Sequence, residues 1–220
     1  LDLVNNSTKI VFIANPNNPT GTMISYDDII RLHNELPDDI LLILDEAYAE
    51  YVHDESYHSG FNLVNDNNNV VVTRTFSKAY GLAGLRVGWA YCPIEVIDVL
   101  NRLRIPFSVN SAAQKVAVAA INDQQHIINS VKHNNFWLPK IKHELENLGF
   151  IVTSSHCNFI LIEVPIELNH DADEIYNFLC SRGIIVRQMY EYGLPNYLRL
   201  TIGLEEANSL VISSLVEFLK

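Results

Sequence analysis

Residues 69–88 constrain the fold more than any other stretch. Asn69 to Thr73, NVVVT, is a short β-branched run of the kind that fills a buried parallel strand, and it leads directly into Thr75 to Gly88, TFSKAYGLAGLRVG. Lys78 is therefore expected just past a strand's carboxyl end, with Thr75 and Ser77 beside it and Arg86 eight residues on. Open α/β sheets bind ligands at that edge. Hydroxyls with an arginine there make a cradle for a phosphate monoester, and a lysine amine so placed can condense with an aldehyde. Taken alone, a Ser-Lys pair would read as a solvated loop. Gly81, Gly84 and Gly88 do not make G-x-G-x-x-G, which discards a dinucleotide loop.

Two further apolar runs end in polar clusters. Lys9 to Ala14 runs into Asn15-Pro16-Asn17-Asn18-Pro19-Thr20-Gly21, where two prolines and a glycine fix the backbone. Ile40 to Leu44 ends in Asp45-Glu46-Ala47-Tyr48, with Asp45 and Tyr48 three apart and able to face one pocket. Asp45 alone could be a helix cap. Four apolar residues ending in Asp45-Glu46 also fit the Walker B strand of an ATPase, but the G-x-x-x-x-G-K-[ST] loop that reading needs is absent.

Composition narrows the class. With 220 residues, 48% of them hydrophobic, the chain can bury a core of one domain or a domain and a half. A net charge of -11 offers no counter-charge to nucleic acid or an anionic membrane. No apolar run approaches the ~18–20 residues of a membrane span and no signal-peptide pattern opens the chain, so the cytosol is the expected compartment. The three cysteines, Cys92, Cys157 and Cys180, are far apart and expected as free thiols. The eight histidines include no H-E-x-x-H, and His53 with His58 is not a helical pair, so no metal is expected. The chain opens at Leu1, with its first methionine at Met23, as though cut from something longer.

The remaining pattern is mixed. Ser25 caps a helix reaching Pro37, and residues 51–69 read as a loop with a short helix of no assigned role. Arg86 to Tyr91 reads as another strand, Pro93 opens a helix over 94–103, and Ser111 to Ile121 is an alanine-rich helix. Asp123 to Leu148 reads as a long helix broken or bent near Pro139. From Gly149 come strands over 151–153, 159–164, 184–187 and 197–202, with helices over 171–182 and 205–219. The expected division is 1–106 as part of a large domain, 107–140 as connecting helices and 141–220 as a small C-terminal domain. Arg199, on an otherwise apolar strand, is costly unless it meets an anion or a salt-bridge partner, while Arg187 ends a nearby strand.

T-F-S-K-A-Y-G-x-x-G followed by Arg86-Val87-Gly88 closely resembles the lysine-attachment pattern of class-II, fold-type I pyridoxal 5'-phosphate (PLP) aminotransferases. Asn15 to Gly21 resembles that family's N-P-x-N-P-T-G loop, and Tyr197 to Gly203 resembles its L-R-[IL]-T-[IV]-G strand. Within the family the chain most resembles the histidinol-phosphate aminotransferase branch. The resemblance implies an α/β fold, a mostly parallel sheet sandwiched by helices plus a smaller C-terminal α/β domain. It implies Lys78 as the PLP-bearing catalytic lysine, with Thr75, Ser77 and Arg86 on the phosphate, Asp45 on the pyridinium nitrogen, and Asn18 and Tyr48 on the phenolic oxygen. A carboxylate that close to the pyridinium shifts a pKa by ~1–3 units toward the charged form. Arg199 would hold the substrate's carboxylate or its counterpart, and Arg187 the phosphate of histidinol phosphate. The implied reaction partners are an amino donor and a 2-oxo acid, and the implied assembly is a homodimer.

The resemblance covers the family's middle and C-terminal parts. Its N-terminal part supplies a glycine-containing phosphate loop, a ring stacked on the pyridine and a tyrosine lent by the neighbouring subunit, so the isolated chain is expected to bind PLP weakly or be inactive. Aromatic aminotransferases and threonine-phosphate decarboxylases share these motifs. A PLP-fold sensor domain of a transcription regulator is the reading from another class; the acidic charge and lack of a basic helix speak against it.

Overall fold

The computed structural model describes all 220 residues. In chain order the elements are β1 (Ile10–Ala14), α1 (Tyr26–Glu35), β2 (Leu41–Asp45), α2 (Phe61–Asp66), β3 (Val70–Thr75), β4 (Gly88–Tyr91), α3 (Ile94–Leu103), α4 (Ser111–Asn122) and α5 (Gln124–Asn147). Then follow β5 (Ile151–Val152), β6 (Phe159–Glu163), α6 (Ala172–Ser181), β7 (Arg187–Gln188), β8 (Tyr197–Thr201) and α7 (Glu205–Phe218). The chain divides into two compact units: residues 1–17 with 23–130, and residues 18–22 with 131–220. The division falls inside α5.

The first unit is built on a four-stranded sheet in the order β1-β2-β3-β4. β1, β2 and β3 are parallel, with Ala14 opposite Asp45 and Asp45 opposite Thr73, so their carboxyl ends are level. β4 returns antiparallel along β3, the direction that suits the family resemblance. Because side chains alternate along a strand, Leu42, Leu44, Val70 and Val72 share one face, and they bury it against Ile29 and Leu36 of the α1 segment and Leu63 and Val64 of α2. Ser25 caps α1, its Oγ accepting from the Asp28 amide at 3.1 Å, a contact whose loss costs ~1 kcal/mol.

The second unit carries an antiparallel sheet in the order β5-β6-β8-β7. Its core joins Trp137, Ile141 and Leu145 of α5, Ile160 and Ile162 of β6, Ile175 and Leu179 of α6, Leu198 and Leu200 of β8, and Val211 and Leu215 of α7. α6 opens with a reciprocal cap in which Asp171 accepts from the Glu174 amide and Glu174 accepts from the Asp171 amide.

Three expectations of the sequence need correction. α5 runs without a break through Pro139. The proline costs ~3 kcal/mol in a helix interior, but Val131, Trp137, Ile141 and Leu145 are all buried, and each fully buried side chain returns ~1.5–3 kcal/mol. The strand expected over 184–187 shrinks to Arg187–Gln188, because Ile185 is 81% exposed and has no face to pack. Arg86 does not begin a strand. It sits in the left-handed region at φ 52, closing a 3-10 turn, and β4 starts at Gly88. The short helix expected within 51–69 is α2, packed into the core, with a 3-10 turn at Ala49–Tyr51 before it.

Candidate active site

The first unit brings six of the expected residues to the carboxyl ends of β2 and β3. Asp45 is the last residue of β2, exposed, with its Oδ1 accepting from the Ala47 amide at 3.2 Å. Three residues on, Tyr48 is buried, and the Nζ of Lys78 stands 5.1 Å from the centroid of its ring. Lys78 lies in the turn after β3, half-buried. Buried Phe76 anchors that turn by packing on Tyr80 with ring centroids 4.9 Å apart. Thr75 Oγ1 accepts from the Ser77 amide at 3.1 Å, which ties the start of the turn to the end of β3. Arg86 then reaches back, donating from Nη1 to the Ala83 carbonyl at 2.8 Å and lying 3.5 Å from Ser77 Oγ.

This donor set suits PLP. Two hydroxyls and a guanidinium match a phosphate monoester, a primary amine matches an aldehyde, and an exposed carboxylate at the strand end matches a protonated ring nitrogen.

The second unit gathers the other three. Asn18 belongs to it, together with the rest of residues 18–22. Gly21, at φ +75, accepts at its carbonyl from the His156 amide at 2.8 Å, which ties this loop to the segment before β6. Arg199 of β8 donates from Nη1 to Asn18 Oδ1 at 2.5 Å and stands 4.7 Å from the Phe159 ring. With the amide oxygen of Asn18 thus engaged, its Nδ2 is left as the donor. Arg187 of β7 is the direct cross-strand neighbour of Arg199, and both line one depression of about 580 Å³ with Gln188, Tyr190 and Thr201. Arg187 is exposed and stands 5.6 Å from the Tyr192 ring.

Behind the first group lies a buried ionic cluster that sequence reasoning missed. Glu46 accepts from Arg74 Nε at 2.9 Å, Ser59 Oγ at 2.8 Å and the Gly60 amide at 2.7 Å. Arg74 Nη1 donates to Glu50 Oε1 at 3.1 Å. Burial holds the Glu50 carboxyl above its ordinary range despite Arg74, and burial followed by the nearby Glu46 charge pushes the Tyr57 phenol far up. The segment 51–69 thus has a place: Ser59 and Gly60 are partners of Glu46. The available signal was a charge at the end of each of two apolar runs, Glu46 after Ile40–Leu44 and Arg74 after Asn69–Thr73; that the two meet is visible only in the structure.

The strand-end lysine turn and the two-unit α/β architecture define a class of protein. The chain belongs to the class I and II aminotransferase family, whose model matches residues 2–214. It is similar to the histidinol-phosphate aminotransferase of Rhodopseudomonas palustris strain BisB18, at 47% identity over 216 residues, 98% of this chain and 59% of that protein. Among solved structures it is similar to the histidinol-phosphate aminotransferase from Sinorhizobium meliloti in complex with pyridoxal-5'-phosphate, with TM-score 0.87, 27% identity, and 96% and 57% of the two chains covered. It shares its fold with L-threonine-O-3-phosphate decarboxylase from Porphyromonas gingivalis, with TM-score 0.85, 24% identity, and 100% and 67% covered. The chain spans about three fifths of the length of the curated relatives it matches. The expected fold is therefore the one the chain has. No helix is long and apolar enough to cross a membrane.

Proposed function

We propose that this chain carries the lysine and the acid-binding arginines of a PLP-dependent transaminase that converts histidinol phosphate and 2-oxoglutarate to imidazole acetol phosphate and glutamate. The observation that carries this reading is the Lys78 turn, where an amine, two hydroxyls and a guanidinium converge past a strand end beside Tyr48. The 47% identity with histidinol-phosphate aminotransferases supports the particular substrate over others of the family.

When bound, PLP supplies the electron sink that makes the bonds at the donor's Cα labile. The protein's residues then have separate tasks. Lys78 would hold the cofactor through its aldehyde, and its amine, when free, would carry a proton from the substrate's Cα to the cofactor's C4′. Thr75, Ser77 and Arg86 hold the phosphate, which fixes the position of everything attached to it. Asp45 keeps the ring nitrogen protonated through its opposite charge. Tyr48 and the Nδ2 of Asn18 are donors suited to an anionic phenolic oxygen. Arg199 binds the carboxylate of glutamate or 2-oxoglutarate, and Arg187, beside it, binds the substrate phosphate. The reading extends to a cytoplasmic homodimer and to the division at 1–106, 107–140 and 141–220.

The test is PLP titration of the full-length protein, borohydride reduction and peptide mass mapping. A phosphopyridoxyl adduct on Lys78 is the expected result. No adduct, or one on another lysine, overturns the assignment. A substrate panel follows: turnover of histidinol phosphate above aromatic amino acids, without decarboxylation of threonine phosphate, is expected. The opposite preference replaces the substrate while keeping the class.

A further inference from the structure

The cluster behind the lysine turn has the wrong chemistry for its place. Leu42 and Leu44 of β2 and Val70 and Val72 of β3 alternate onto the core face, and one more step along each strand gives Glu46 and Arg74. Their side chains are only 3% and 13% exposed, and Glu50 joins them at 12%. Buried ion pairs are poor stabilisers, since well-packed apolar replacements are often neutral or better. What the cluster does is join segments. Through Arg74 and Glu46 it connects the end of β2, the 3-10 turn at 49–51, the end of β3 and the loop at Ser59–Gly60. Gly60 is held so close that a Cβ there would collide with Leu44 and crowd Val72 at 3.0 Å.

The candidate site residues alternate with these charges. Asp45 immediately precedes Glu46, Tyr48 lies between Glu46 and Glu50, and Thr75 immediately follows Arg74. Fixing Glu46, Glu50 and Arg74 therefore fixes the backbone from which Asp45, Tyr48 and Thr75 project, on two strands at once.

We propose that Arg74, gripping Glu46 and Glu50, is a positioning residue that sets the Asp45–Tyr48 turn against the Lys78 turn. This rests on the reading of Lys78 as the PLP lysine. Arg74 reaches the chemistry only through its neighbours, so its loss acts on geometry; a misplacement of about 1 Å can cost about 10²-fold in rate.

The experiment uses the full-length protein carrying Glu46→Gln, Glu50→Gln and Arg74→Met together. This triple variant leaves no unpaired buried charge and keeps an acceptor for the Gly60 amide. Hydrogen exchange without cofactor is read at the Ala47, Ala49 and Tyr51 amides, which donate to Asp45 Oδ1 and the Glu46 and Tyr48 carbonyls. The expected result is a folded protein with faster exchange at these three amides, a shifted pH midpoint of the bound cofactor's visible absorbance, and kcat lowered about 10²-fold with KM for the amino donor little changed. Wild-type exchange, absorbance and kcat in the folded variant overturn the proposal. Should the triple variant not fold, Arg74→Lys, which keeps the charge but not the planar fork, decides by the same readouts. A wild-type protein that forms no adduct at Lys78 overturns both this and the reading beneath it; a labelled wild type with an unaffected variant overturns this alone.

Discussion

An ideal Cβ on Gly88 would lie 2.7 Å from the carbonyl oxygen of Arg74, a backbone atom fixed in the β3–β4 ladder. Nothing flexible can yield there. Gly88→Ala should destabilise by ~1–3 kcal/mol in urea denaturation, in line with overpacking elsewhere. Gly84, in the 3-10 turn before β4, would meet nothing within 4 Å, so Gly84→Ala should stay within ~0.5 kcal/mol. Equal effects at the two positions would contradict the packing argument. The sequence shows both glycines alike, because the carbonyl that separates them belongs to a neighbouring strand. Arg199 is a similar case. Its charge on an apolar strand was legible as needing a polar partner, but its hydrogen bond to Asn18 crosses 181 positions of sequence and could not be read. Arg199→Lys loses the planar fork, and steady-state kinetics of the full-length protein should show KM for 2-oxoglutarate raised about 10- to 100-fold, the worth of a charged hydrogen bond.

At the scale of elements, the strands and their polar ends were readable because a run such as VVVT admits few other structures, which placed Lys78, Asp45 and Tyr48 past strand ends, while the roles expected of them came from the family resemblance. The pairing of Glu46 with Arg74 was not, since adjacency of β2 and β3 is a tertiary fact. That cluster makes a prediction about pH. The groups facing Glu50 are Arg74, Glu46, Tyr57 and Tyr80, and burial outweighs the attraction of Arg74, so the carboxyl is raised above its ordinary 4.5. A raised acid binds its proton more readily when folded than when unfolded. Its contribution to stability is therefore complete below about pH 4.5 and is lost as pH rises through the raised value. Glu50→Gln removes this titration, so unfolding free energies measured across acid to neutral pH should fall less steeply with pH than in the wild type. An identical slope in both proteins would mean that Glu50 is solvated or fully compensated by Arg74.

At the scale of the whole molecule, the first unit shows a large apolar surface against a strongly acidic background. α3 buries none of its residues: Ile94 is 69% exposed and Leu103 75%, and Ile105 and Phe107 beyond it are 77% and 95% exposed. Isolated exposed hydrophobes are ordinary, but a run of this kind on one helix and its exit marks an association surface. The net charge of -11 opposes association between copies at long range, and salt removes that repulsion, with a Debye length falling from about 30 Å at 0.01 M to about 10 Å at 0.1 M. Apolar attraction does not weaken with it. Sedimentation of the 220-residue chain should therefore show self-association that grows with ionic strength. Leu103→Glu should reduce it with little change in stability, since the side chain it replaces is mostly in water. Association that instead falls with salt would place the contact on charged groups, and an unaffected Leu103→Glu variant would move it away from α3.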